Sequence, residues 1–163
     1  MVSPKPVVLL FDLDNALVDE CAHIIGQTGL YTAINTYNEI NAIEAMRQYN
    51  RGFGLLTNKL ACVITGWNRY KKPRDQFLFT IRDEERRSPM RSPTPVIILT
   101  EDHHIDLRQL ALDPMDGNVT AYLHTDEAKE CIADTLHKVV FGNRAKEMNF
   151  IAYAQLQQER HTD

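Results

Sequence analysis

The stretch LACVITGWN, residues 60–68, has the pattern of a buried strand that ends in a polar turn. Its first six residues are mostly apolar without alternation, which is typical of a strand covered on both faces. The stretches VVLLF at residues 7–11 and VIIL at residues 96–99 share this pattern. Parallel sheets with helices on both sides contain such strands. The three stretches therefore predict the centre of a parallel α/β sheet.

Helical and strand patterns alternate around these three central strands. Two further strands are predicted at residues 31–36 and 119–123. The spacing of apolar residues predicts helices over residues 15–27, 75–82, 106–112 and 128–140, and one more that begins after Asn38 as its cap. Five strands that alternate with five helices indicate a parallel sheet with helices on both faces.

Three segments interrupt or follow this alternation. RGFG at residues 51–54 breaks the helical pattern, and residues 83–93 are densely charged with two Ser-Pro pairs. We expect residues 83–93 to form a solvated loop. From residue 142 the composition becomes polar. The predicted organisation is one domain at residues 1–141, followed by a helical extension or linker at residues 142–163.

Composition limits the classes of function. The chain has 163 residues and a net charge of −4, which argues against general binding to nucleic acids or to membrane surfaces. No apolar run approaches the ~20 residues that span a bilayer. The three cysteines, Cys21, Cys62 and Cys131, are odd in number and widely spaced, which suits a reducing compartment. A cytoplasmic protein is therefore expected.

Polar residues follow four of the predicted strands. In parallel α/β sheets, ligands bind beyond the carboxyl ends of the strands, so these turns are the candidate site. Their sequences are Asp12-Leu-Asp14, Gly66-Trp-Asn68, Thr100-Glu-Asp102 and His124-Thr-Asp126. Asp12 and Asp14 could cap the following helix or bind a metal weakly, because carboxylates serve both purposes.

This set of strand ends resembles the receiver domains of two-component response regulators, especially the single-domain chemotaxis type. The resemblance runs from Val7 to Val140. It implies a flavodoxin-like fold: a five-stranded parallel sheet in the order 2-1-3-4-5, helices on both faces, and here an extended C-terminal helix.

The same resemblance implies that the phosphorylation chemistry is missing. Receiver domains hold Mg²⁺ with two adjacent acids, and these positions are Asp12 and Leu13, with Asp14 one residue further on. The phosphoacceptor aspartate falls on Gly66, which has no side chain to phosphorylate. The lysine that pairs with the phosphate falls on Thr125. Without a nucleophile, we expect no catalytic residue and no bound metal or cofactor.

Other receiver positions are retained in this sequence. Thr100 matches the Ser or Thr after the fourth strand, Tyr122 matches the aromatic residue of the fifth strand, and Trp67 resembles the chemotaxis version. Trp67 and Tyr122 are the predicted signalling surface. The resemblance implies a pseudo-receiver, a non-enzymatic regulatory module that contacts a protein partner or itself. Such modules often use the face made by the fourth helix, fifth strand and fifth helix.

The C-terminal part of the chain predicts a place for self-association. The apolar stripe of the last domain helix continues through Val140 and Phe141, and Met148, Ile151 and Ala152 follow at helical spacing. An exposed stripe of this kind is usually covered, and a two-fold homodimer is a common way to cover it. A homodimer or partner interface is therefore expected here.

A second resemblance suggests a different class of function. LFDLDNALVD at residues 10–19 is similar to the first motif of haloacid-dehalogenase-type phosphatases. That resemblance implies a small Mg²⁺-dependent phosphohydrolase with Asp12 as nucleophile, Asp14 as general acid/base and Lys72 as a phosphate clamp. Asn15-Ala16 stands where that family has Gly-Thr. The 13 residues between Lys59 and Pro73 also leave no room for the helix and strand that it inserts there.

Overall fold

A five-stranded, fully parallel sheet runs through the computed structural model, which describes residues 4–50, 60–88 and 92–162. Its strands are β1 (Val7–Phe11), β2 (Thr32–Thr36), β3 (Leu60–Thr65), β4 (Val96–Thr100) and β5 (Ala121–His124). They are arranged in the order β2-β1-β3-β4-β5, with Leu9 of β1 beside Ile34 of β2 and Val63 of β3. The predicted flavodoxin-like topology is confirmed.

In the part of the chain that the structure describes, six α-helices connect or follow the strands. They are α1 (Asn15–Gln27), α2 (Glu39–Asn50), α3 (Phe77–Arg86), α4 (Ile105–Leu112), α5 (Thr125–Val140) and α6 (Ala145–Thr162), with a short 3-10 helix at Pro73–Asp75. The predicted cap of α2 is confirmed, since the Asn38 side chain accepts a hydrogen bond from the Asn41 amide at 2.9 Å. None of these helices within the described ranges combines the length and apolarity needed to cross a bilayer.

The sheet separates two hydrophobic cores. Helices α1 and α5 cover one face and bury residues such as Leu10, Cys21, Ile25, Ile132 and Leu136. Helices α2, α3, α4 and α6 cover the other face and bury residues such as Leu9, Met46, Leu78, Ile98 and Leu156. All residues of β1 and β4 are buried, which explains why their sequences show no alternation.

The charged stretch after residue 82 was predicted as loop, and that prediction is wrong for residues 83–86, which continue α3. Arg82, whose side chain is buried, holds this end of α3 against its neighbours. Its guanidinium donates to the carbonyl oxygens of Gly117 at 2.8 Å and Thr94 at 2.9 Å, and pairs with Glu85 at 2.8 Å. The charges of this segment therefore tie α3 to its neighbours. Residues 89–91, and the interruption at residues 51–54, lie outside the described residues.

Helix α6 packs on its own domain. The buried Asn149 side chain donates to the carbonyl oxygens of Leu112 at 2.9 Å and Val119 at 2.7 Å, at the two ends of the α4–β5 connection. Arg108 of α4 pairs with Glu159 at 2.8 Å. Part of the predicted dimer stripe is thereby covered, because Met148 and Ala152 pack against the two cores. Phe141, Phe150 and Ile151 stay exposed.

Candidate functional site

The Asp12 carboxylate fills the space beside Gly66, the position that the resemblance matched to a phosphoacceptor. The two residues follow neighbouring strands, and the Gly66 amide donates to the Phe11 carbonyl at 3.3 Å. A Cβ added to Gly66 would overlap the Asp12 Oδ2 atom and lie 2.9 Å from the Leu99 carbonyl oxygen. This strand end therefore fits glycine and no larger residue without movement of its neighbours.

The two acids after β1 have separate tasks. The half-buried Asp12 accepts the Asp14 amide hydrogen at 2.8 Å. Burial raises the pKa of Asp12, opposed by that amide and reinforced by the Asp14 charge. Asp14 is exposed and caps α1 by accepting from the Leu17 amide at 3.2 Å. Leu13 between them is 47% exposed. Only Asp12 therefore turns toward the interior.

A small cavity of about 10 Å³ lies beneath Asp12 and Gly66. Apolar side chains complete its lining, among them Leu17, Cys21 and Leu99. We call this the strand-end pocket. It has room for about one water molecule at most. Burial, reinforced by nearby acids, raises the pKa of the Cys21 thiol to about 11, so this thiol stays protonated and is a poor nucleophile.

Beyond β4, the polar side chains shape the turn into α4. The buried Thr100 hydroxyl accepts the Asp102 amide hydrogen at 3.0 Å, and the Asp102 carboxylate accepts the His104 amide hydrogen at 3.0 Å. His104 Nδ1 then accepts the Asp106 amide hydrogen at 3.3 Å and caps α4. Thr100 and Asp102 are therefore engaged in local backbone contacts.

Trp67 and Tyr122 meet above the ends of β3 and β5. Trp67 Nε1 donates to the Tyr122 hydroxyl at 2.9 Å, and that hydroxyl donates to the Asp102 carbonyl at 2.5 Å. Burial raises the pKa of Tyr122 to about 12. The His103 ring meets Tyr122 edge-on at 5.5 Å and stacks on His124 at 5.1 Å. We call these four residues the aromatic cluster; it locks three strand ends together.

Thr125 is the first residue of α5, which begins directly after β5 and three residues earlier than predicted. His124 supports this early start, because its Nδ1 accepts the Asp126 amide hydrogen at 3.1 Å. Histidine is outside the group of common N-cap residues, so sequence reasoning missed both His104 and His124. The hydroxyl-bearing Thr125 thus stands, within the helix, where the resemblance implied a lysine.

The residues of the phosphatase resemblance do not assemble a comparable centre. Lys72 is exposed in the turn before the 3-10 helix, and Asp14 is engaged as the cap of α1. Within the described ranges, no three His, Cys, Asp or Glu side chains lie close enough to hold a metal ion. The arrangement of Asp12, Asp14 and Lys72 does not favour a phosphohydrolase.

Comparisons with known proteins point to receiver domains through structure alone. No family model and no curated sequence matches this chain. The signal receiver domain of an HD domain-containing protein from Pseudomonas fluorescens Pf-5 has a TM-score of 0.63 at 17% identity, over 99% of this chain and 96% of that one.

Two further receiver structures are similar to this chain. A response regulator receiver domain protein from Clostridium thermocellum has a TM-score of 0.62 at 15% identity, over 85% of this chain and 97% of its own. The phosphorylated cyanobacterial phytochrome response regulator RcpA has a TM-score of 0.60 at 14% identity, over 85% of this chain and 96% of its own. At these identities the similarity establishes a receiver-like fold.

Proposed function

We propose that this domain is a pseudo-receiver, a regulatory module that works through protein contacts without being phosphorylated. The observation that carries the proposal is the packing at Gly66, where the Asp12 carboxylate takes the space of the missing side chain. A phosphoacceptor at this position needs a carboxylate free to attack a phosphoryl donor. Here a longer side chain at residue 66 has no place unless Asp12 moves away.

The neighbouring positions support the same conclusion. Mg²⁺ is usually held by one or two carboxylates together with phosphate oxygens, and Leu13 puts an exposed apolar side chain beside Asp12. At Thr125, a hydroxyl replaces the ammonium group that would pair with a phosphoryl oxygen. The nucleophile, a metal ligand and the phosphate-binding cation are therefore replaced together.

A regulatory module without this chemistry acts through a fixed surface. Two hydrogen bonds hold the Tyr122 hydroxyl, one from Trp67 and one to Asp102, so the aromatic cluster has one defined arrangement. We propose that the partner, a protein or a second copy of the chain, binds the domain in the cytoplasm with the aromatic cluster in this one arrangement. The fraction of the domain that is bound would then depend on the concentration of the partner. The predicted homodimer also stays a proposal, and of its residues Phe141 and Ile151 remain exposed.

The proposal is tested by incubating the protein with acetyl phosphate and Mg²⁺ and measuring its intact mass. We expect no gain of a phosphoryl group. Trp67 is the single tryptophan and directly follows Gly66, so its fluorescence reports on the turn after β3, and we expect no change when Mg²⁺ is added. A stoichiometric phosphoryl gain that persists in Asp102→Asn and vanishes in Asp12→Asn would overturn the proposal and favour the phosphatase class.

An activity assay separates the two classes further. With para-nitrophenyl phosphate and Mg²⁺, we expect the protein and its Asp12→Asn variant to show the same background hydrolysis. A turnover that is lost in Asp12→Asn and retained in Asp102→Asn would identify Asp12 as a nucleophile. That result would replace the pseudo-receiver with a phosphohydrolase.

A further inference from the structure

Four large apolar side chains are exposed together at the carboxyl edge of β2, β1 and β3. Leu13 after β1 is 47% exposed, Tyr37 after β2 is 39%, Ile40 at the start of α2 is 71% and Tyr70 after β3 is 81%. These three strands are neighbours in the sheet and point the same way. We call the four residues the apolar edge surface. Contiguous exposed apolar residues on a soluble domain often mark a binding site.

Hydrogen bonds fix the loop that carries Tyr70. The buried Gln76 side chain accepts the Asn68 amide hydrogen at 2.7 Å and donates to the carbonyl oxygens of Asn68 at 2.8 Å and Lys71 at 3.2 Å. The Asn68 side chain accepts the Tyr70 amide hydrogen at 2.9 Å. Because the backbone is already ordered, a partner that packs on the tyrosine loses little freedom of this loop on binding.

The other loops of this surface are anchored in the same way. The Tyr37 hydroxyl donates to the Asp19 carboxylate at 2.5 Å, which joins the β2–α2 turn to α1. Lys71 pairs with Glu39, which joins the β3 loop to α2 beside Ile40. The Arg69 guanidinium lies 5.6 Å from the centre of the Tyr70 ring. Tyrosine and arginine are common anchors of protein interfaces.

The width of the apolar edge surface suits one helix. Three adjacent strands span two inter-strand spacings, or about 10 Å. An α-helix advances about 1.5 Å per residue along its axis, so about two helical turns cover this span. A single amphipathic helix laid across the ends of β2, β1 and β3 can therefore contact all four apolar residues.

Negative charge borders this surface at the ends of β4 and β5. Residues 100–107 and 124–128 contain five acids and no lysine or arginine. The acids, which we call the acidic flank, are Glu101, Asp102, Asp106, Asp126 and Glu127, and all are exposed. Asp106 and Asp126 lie in the first turns of α4 and α5, where a helix dipole favours acids. Glu127 also lies in the first turn of α5, whereas Glu101 and Asp102 extend the charge into the turn before α4, which favours a basic partner and disfavours nucleic acid.

We propose that the apolar edge surface docks an amphipathic helix of a protein partner, with its apolar face on Leu13, Tyr37, Ile40 and Tyr70 and a basic flank toward the ends of β4 and β5. This inference rests on the proposed function, since it names the surface and the kind of partner of the same regulatory module. The exposed Leu13 fits both conclusions, because it replaces a metal-binding acid with an apolar contact.

The test uses the full chain labelled with ¹⁵N and two designed amphipathic peptides, each about five helical turns long. Both peptides have the same leucine face, and their polar faces carry lysine in one and glutamate in the other. We expect the lysine peptide to shift the amide signals of residues 13, 37–40 and 70. The glutamate peptide should bind at least about tenfold more weakly because it faces the acidic flank.

Alanine variants show whether the apolar edge surface itself binds the peptide. Ile40→Ala and Tyr70→Ala should each weaken the lysine peptide about tenfold. Met115→Ala is the matched control, since this side chain is 89% exposed in another part of the fold. The proposal is overturned by equal affinity for both peptides, by shifts centred on α4 and α6, or by no saturable shifts at millimolar peptide.

A repeat after treatment with acetyl phosphate and Mg²⁺ separates this inference from the function on which it rests. Binding at the apolar edge surface with an unchanged protein mass supports both. A phosphoryl gain with binding retained would overturn the phosphorylation-independent function and keep the docking surface. An unchanged mass without binding would remove the docking surface alone.

Discussion

The strand-end pocket and the aromatic cluster lie at the same edge of the sheet but differ in how their polar groups are used. In the strand-end pocket, Asp12 lies against Gly66 and is supported by one backbone amide. In the aromatic cluster, Tyr122 both accepts and donates a hydrogen bond and joins β3, β5 and the β4–α4 turn. One region holds a carboxylate packed against a glycine, and the other holds a hydroxyl with two hydrogen-bond partners.

The difference between these regions teaches which features of a receiver fold depend on chemistry and which depend on structure. A phosphoacceptor carboxylate contributes to catalysis and costs stability when it is desolvated, so its loss leaves the sheet intact. A buried hydroxyl with two partners contributes to stability, and its loss leaves other polar groups unsatisfied. Adding atoms in the strand-end pocket should therefore lower the unfolding free energy. In the aromatic cluster, removing atoms should lower it.

The largest effect is expected from Gly66→Ala. The added Cβ overlaps the Asp12 carboxylate and approaches the Leu99 carbonyl, so we expect a loss of about 2–3 kcal/mol in unfolding free energy, as for other overpacked sites. In an Asp12→Ala background the loss should shrink by about 1 kcal/mol, since one of the two clashes is gone. Urea denaturation of the four proteins measures this coupling.

Gly26→Ala provides the matched control for this substitution. A Cβ on Gly26 meets no atom within 4 Å, and the residue lies inside α1. This variant should be more stable by up to about 1 kcal/mol, because alanine favours a helix over glycine. If Gly66→Ala unfolds at the same urea concentration as the wild type, the packing of Asp12 against Gly66 is not a constraint.

An intermediate effect is expected from Tyr122→Phe in the aromatic cluster. The variant keeps the ring and removes the hydroxyl, which leaves Trp67 Nε1 and the Asp102 carbonyl without this partner. We expect a loss of about 1–2 kcal/mol and a changed Trp67 fluorescence. Tyr70→Phe removes a hydroxyl from a ring that is 81% exposed and should change stability by less than about 0.5 kcal/mol. Equal losses in the two variants would contradict the role of the cluster.

The sequence was sufficient to predict the sheet and the location of the candidate site. Apolar runs such as residues 7–11 and 96–99 identify strands buried on both faces, and parallel order brings their carboxyl ends to one edge. That is enough to place Asp12, Gly66 and Thr100 near one another. These inferences succeed because they depend on periodicity and topology, which are written directly in the sequence.

The details that the sequence did not predict depend on the direction of individual side chains. Arg82 is a charged residue next to a densely charged segment, yet it is buried because backbone carbonyls of two other segments surround it. His124 caps α5 through a ring nitrogen, a use that composition does not suggest. The position of the Asp12 carboxylate against Gly66 likewise depends on the rotamer of the Asp12 side chain. Contacts of this kind arise only once the chain has folded.

The smallest effect is expected from pH, and it reports on the ionisation of Asp12. Burial raises the folded pKa of this acid above its ordinary value of 3.8, so the folded state binds a proton more readily than the unfolded state. Stability from this group is therefore present at low pH and is lost as pH rises through the folded pKa. Asp12→Asn retains an oxygen for the Asp14 amide and removes the charge. We expect this variant to be slightly more stable than the wild type at pH 7, and the difference to shrink at pH 4 in urea denaturation.

Asp14→Asn, at the exposed cap of α1, is the control and should not reproduce this trend. The stability difference between Asp12→Asn and the wild type could instead be constant with pH or grow toward pH 4. Either result would mean that Asp12 is ionised at no cost in the folded protein. The strand-end pocket would then be more polar than its packing indicates.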